Sequence, residues 1–158
     1  MASLAKKPER IKRLFLLKEE KGENGVFPLT LCHGGTFHEI IIDDYFPVNS
    51  NGHLVFTQML QNKIWHLLLE KAYAKLYGSY LRIEKGIPMN AFKDLTGSPS
   101  EVIKIQEFKN NRYKLFDRIK IFLGNEYPIT TSSKSKGNYS VTKKGYTLMP
   151  NGIALCHW

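Results

Sequence analysis

Apolar residues recur along this chain at two spacings, and each predicts a different kind of element. Ile11, Leu14 and Phe15 fall at helical spacing, with Pro8 and Glu9 ahead of them and Lys12, Arg13 and Lys18 behind, so a helix is expected over about 7–17. Val26-Phe27 and Leu29-Thr30-Leu31 read as a strand, Gly34-Gly35 as a tight turn and Thr36–Ile42 as a second strand, which together predict an antiparallel hairpin. Pro47 ends that run, and Asn51-Gly52 marks another turn before Leu54-Val55-Phe56. The clearest helix follows. Asn62 can cap it, Trp65, Leu68, Leu69, Ala72, Tyr73 and Leu76 form one stripe, and Gly78 supplies a left-handed stop.

Past residue 97 the pattern weakens. Ser98-Pro99-Ser100-Glu101 has the form of a capping box and predicts a helix over about 99–107. Leu115, Phe116, Ile119, Phe122 and Leu123, closed by Gly124, predict another. Tyr127–Thr131, Tyr139–Thr142 and Tyr146–Met149 read as strands, the first two separated by the polar loop Ser132–Asn138. Helices and strands do not alternate regularly, so the fold class expected is α+β, with a lobe junction at Asp94–Ser98.

With 158 residues the chain can bury a core without a staple. Its two cysteines, Cys32 and Cys156, form no CxxC pair, which argues against a zinc module or disulfide scaffold and for a reducing compartment. No apolar run approaches the roughly 20 residues that span a bilayer, and the opening MASLAKKPER carries no leader pattern, so a soluble, cytoplasmic chain is expected. The net charge of +9 comes from bases scattered over the chain. A solvated basic surface accounts for them; a nucleic-acid or anionic-surface binding domain is the competing reading, and no nucleic-acid partner is expected.

Few residues suggest chemistry by themselves. His33 and His38 with Asp43 and Asp44 raise a metal site, but residues five apart on a strand point to opposite faces, so the imidazoles do not converge without help from the turn and no metal is expected there. No phosphate-binding glycine loop is present. Glu70 falls off the apolar stripe of its helix, where a helix neighbour or solvent would satisfy it. Cys156 and His157 are adjacent, which on an extended strand sends them to opposite sides, so they are a poor nucleophile and base pair.

Three longer strings are more specific: Ile42-Asp43-Asp44-Tyr45-Phe46-Pro47, then WHLLLEKAYAKLYGSY over Trp65–Tyr80, then Asp94-Leu95-Thr96-Gly97. In this order they closely resemble the calpain-type cysteine protease core, and LAKKPERIKRLF resembles the segment after the nucleophilic cysteine of that family. The resemblance implies a partial papain-like fold, with residues 1–97 in a helical lobe and 98–158 in part of an antiparallel β lobe. It implies peptide-bond hydrolysis in the cleft between the lobes by a Cys-His-Asn site, acting on protein substrates or held by protein inhibitors.

The same resemblance shows departures. Gly152–Trp158 matches the stretch that ends at the catalytic histidine, which makes His157 that residue, with Cys156 in place of a glycine and Trp158 of an alanine. Of the paired glycines that touch the substrate backbone, Lys85-Gly86 keeps only Gly86. Family members carry a calcium-binding carboxylate two positions before the helix tryptophan; here that position is Lys63, which makes calcium doubtful and leaves no cofactor expected. Neither Cys32 nor Cys156 occupies the nucleophile's place, and the orienting Asn is missing, so the chain is expected to be an inactive fragment of the protease core or a non-catalytic binding module. Without the nucleophile's helix, the apolar faces of Trp65, Leu68, Tyr73 and Phe15 are expected to be underpacked.

Overall fold

A computed structural model describes residues 2–16, 25–59 and 63–131 together with the short strand pieces 140–141, 147–148 and 154–155. The chain begins with two short helices, α1 (Ala2–Ala5) and α2 (Pro8–Lys12). It then forms the hairpin β1 (Val26–His33) and β2 (Thr36–Asp43), followed by α3 (Trp65–Tyr77), α4 (Tyr80–Ile83) and α5 (Pro88–Thr96). After a 3-10 turn at Ile105–Phe108 comes α6 (Arg112–Gly124). Three two-residue strands, β3 (Ser140–Val141), β4 (Thr147–Leu148) and β5 (Ala154–Leu155), form an antiparallel sheet with β4 in the middle. The α+β class expected from the pattern is what these elements make.

The hairpin forms where the glycine pair places it. Gly34 and Gly35 have φ of 59° and 83°, the doubly left-handed geometry that suits the twist of a two-residue hairpin turn. That turn sets the register, His33 opposite Thr36 and Val26 opposite Asp43. Pro28 is tolerated inside β1 because its missing N–H lies on the side away from β2, where only its carbonyl is used, accepting from Leu16 N at 3.1 Å. Phe27, Leu29, Leu31, Ile40 and Ile42 share one face of the pair and are buried. Leu68, Leu69 and Ala72 of α3, Leu95 of α5, and Leu4, Ile11 and Leu14 close the same core.

Several expectations need correction. The first helix stops at Lys12 rather than near 17, because Phe15 bridges Leu29 and Thr30 N donates to the Leu14 carbonyl at 2.7 Å; pairing with β1 overrides local helical preference. No helix forms over 99–104: β-branched Val102, Ile103 and Ile105 disfavour it, and Glu101 pairs with Arg118 of α6 instead of reaching back to a cap. Tyr127–Thr131 is not a strand. Trp65, Tyr73 and Phe15 are packed against the core and Leu68 is buried, so the expected underpacking there is not found. Exposed apolar residues lie on other elements, among them Phe116, Ile121 and Leu123 of α6 and Phe37 and Ile41 of β2, each more than half exposed. Asn62, proposed as a cap, lies outside the described residues.

Candidate functional site

The string Asp94-Leu95-Thr96-Gly97 closes α5, and each of its residues is held by a different force. Tyr73 and Tyr77 sit four apart on α3, on one helix face, and both hydroxyls donate to the same Asp94 carboxylate oxygen, at 2.8 and 2.5 Å. Asp94 is buried, and this pairing satisfies it. Burial first, then the Asp94 carboxylate, pushes the Tyr73 phenol well above its ordinary value, and the same two causes raise Tyr77. His33 packs edge-on against Tyr77, with ring centroids 5.1 Å apart, so the group ties the hairpin turn to both helices. Leu95 enters the core, and Thr96 bonds the Phe92 carbonyl while accepting from Ser98 N.

Gly97 ends α5 in the left-handed region with φ of 67°, and a Cβ there would stand 2.3 Å from the Phe37 ring. Phe37 is 61 % exposed, so the ring can swing aside; the backbone conformation sets the cost. Gly97→Ala is therefore expected to cost about 1–2 kcal/mol in a urea titration. Restoring that loss by adding Phe37→Ala would mean that the contact, not the backbone, sets the requirement.

Gly86 lies in the segment between α4 and α5. Ser79 caps α4, accepting from Arg82 N, and Pro88 opens α5 where its lost N–H is harmless. Among the described residues nothing approaches within 4 Å of the position a Gly86 Cβ would take. Lys63 is exposed just ahead of α3. An ammonium has three donors and no lone pair, so this position does not fit a calcium ligand. Among the described residues no group of three or more His, Cys, Asp or Glu is placed to hold a metal.

The hairpin histidines depart from expectation in an instructive way. Residues five apart do point oppositely on one strand, but His33 and His38 lie on different strands, and the register pairs His38 with Leu31, two positions from His33. Both therefore share a face, though among the described residues they form part of no metal cluster. Glu70 takes neither a helix neighbour nor solvent alone: its carboxylate accepts from Thr57 N at 3.1 Å, anchoring the loop before α3. His66, which the pattern analysis passed over, is buried and bonds the Gln58 carbonyl through Nε2 at 2.8 Å. The Asp94 cluster was also missed; the Tyr73 and Tyr77 spacing was its only sequence signal. Cys32 is buried in β1, and Cys156 and His157 lie outside the described residues.

A family model described as calpain family cysteine protease matches residues 1–157. Human Calpain-12 is 34 % identical over 142 residues, which cover 87 % of this chain and 19 % of that protein. Human Calpain-14 is 39 % identical over 92 residues, 58 % of this chain and 14 % of the relative. The rice calpain-type cysteine protease ADL1 is 38 % identical over 92 residues, 58 % of this chain and 4 % of the relative. The chain thus spans less than a fifth of the length of each. With the matched stretch running through the hairpin, the α3 helix and the Asp94–Gly97 closure described above, the chain belongs to the calpain family of cysteine proteases.

Proposed function

We propose that these residues form part of a papain-like thiol protease core, 1–97 contributing to the helical lobe and 98–158 to the β lobe. The family match over residues 1–157 carries this reading. In it, His157 is the base that activates a cysteine thiol, and Gly86 lies along the backbone of a protein substrate, a role favoured by the space the described residues leave around it. The thiolate attacks the peptide carbonyl carbon, the amine leaves with the imidazolium proton, and water then releases the acyl group from sulfur.

We further propose that the 158 residues by themselves do not perform this reaction. Cys32 supports the proposal: its side chain is buried in a hairpin strand, whereas a reactive thiolate needs an accessible, electropositive position such as a helix N-terminus. Losing the nucleophile removes several orders of magnitude of rate. The purified chain is therefore expected to leave casein intact with or without calcium, and thiol-dependent cleavage would overturn this. Genomic DNA on either side of the coding segment separates a protease segment from a non-catalytic binding module. In-frame Gly-x-Cys-Trp and Asn-Pro-Trp motifs support the first, and stop codons on both sides the second.

A further inference from the structure

The hairpin register sorts the backbone groups of β2 into two sets. The Pro28 carbonyl and Thr30 N–H are used by residues 16 and 14, so even-numbered residues of β1 direct their polar groups away from β2. Their partners Phe37, Glu39, Ile41 and Asp43 must then direct theirs away from β1, because pairs that exchange hydrogen bonds alternate with pairs that do not. The two edges of the hairpin consequently differ. That of β1 is paired by residues 14–16, whereas among the described residues no group accepts from Glu39 N–H or Ile41 N–H.

The side chains of the outward set are exposed as well. Phe37 is 61 % and Ile41 51 % exposed, with exposed Glu39 between them, an apolar, acidic, apolar row along an open edge. The Lys75 ammonium of α3 donates to the Ile41 carbonyl at 2.7 Å, and Lys71 pairs with Asp43, so the strand is guarded from the Ile41 carbonyl onward, while among the described residues no charged side chain of another element guards the edge at Phe37 and Glu39. The Ile41 carbonyl keeps a second lone pair for a further donor.

We propose that this edge is a docking site for an extended peptide segment of another protein. The segment adds a strand antiparallel to β2, with a basic residue opposite Glu39 and apolar residues opposite Phe37 and Ile41. Charge complementarity selects this occupant over a second copy of the chain, since antiparallel self-pairing centred on Glu39 would set two carboxylates face to face.

A fluorescein-labelled heptapeptide TVTKTVT, titrated against the 158-residue chain by anisotropy, tests the proposal. Saturable binding is expected. Ile41→Pro removes an outward N–H while leaving the β1 ladder intact, and is expected to weaken binding about tenfold, as is Glu39→Lys. The same peptide N-methylated at alternate residues, which keeps its side chains and needs no variant to fold, is expected to lose binding. No saturable binding, or equal binding of the N-methylated peptide, would overturn the proposal. So would concentration-dependent dimerisation abolished by Ile41→Pro, which would assign the edge to a second copy.

Discussion

Truncating Leu69 to alanine is expected to remove about 2–5 kcal/mol of stability, the range for deleting a fully buried leucine side chain whose cavity the surroundings only partly fill. Leu69 is 1 % exposed, on the face of α3 that meets the hairpin, within the cluster that includes Leu29, Leu31 and Ile42. With marginal net stability, that loss takes most of what folding provides. In urea the midpoint should fall by about 1–2 M, judged from typical slopes for small domains. Phe116→Ala serves as the control: Phe116 on α6 is 60 % exposed, and its truncation is expected to stay within about 0.5 kcal/mol. Equal effects at the two positions would place the core elsewhere than against α3.

Asp94→Ala is expected to cost about 3 kcal/mol, because it leaves the Tyr73 and Tyr77 hydroxyls without their shared acceptor at a partly buried site. Asp94→Asn keeps an acceptor oxygen and should cost less. The pH dependence has a definite sign. A phenol raised above its ordinary value of about 10 stays protonated in the folded chain where the unfolded chain has released its proton. The stability tied to Tyr73 and Tyr77 is therefore fully present below about pH 10 and is lost as pH rises further, through the raised folded values. Denaturation followed across that range should show an alkaline decline that Tyr73→Phe makes shallower. A decline of unchanged slope would show that Tyr73 does not carry this linkage.

Much of the first 97 residues was legible because local signals there coincide with tertiary ones. The glycine pair at 34–35 dictates a hairpin, the alternation on either side decides which face is buried, and the α3 stripe and its Gly78 stop, with φ of 93°, agree with both. Beyond Gly97 the signals conflict. The capping box around Ser98 is locally sound, yet β-branched residues follow it and Arg118 claims the glutamate the cap would need. The candidate site divided the same way. Gly86 could be located from a motif, but the acceptor that joins Tyr73 and Tyr77 lies 21 and 17 residues away along the chain, a separation periodicity does not register.

From the sequence alone came the α+β class, the hairpin with its Gly34-Gly35 turn, the α3 helix and the calpain kinship, all consequences of short-range sterics or of strings long enough to be specific. Tertiary structure alone decided that Phe15 pairs with β1 instead of extending a helix, that His33 and His38 share a face, that Glu70 anchors the Thr57 loop and that Asp94 gathers two phenols. The common face of the histidines follows from the strand register; in the other cases the reason is the same. A polar group seeks whichever partner the folded chain brings within hydrogen-bonding distance, and that partner is chosen by the packing of distant segments, not by its neighbours in sequence.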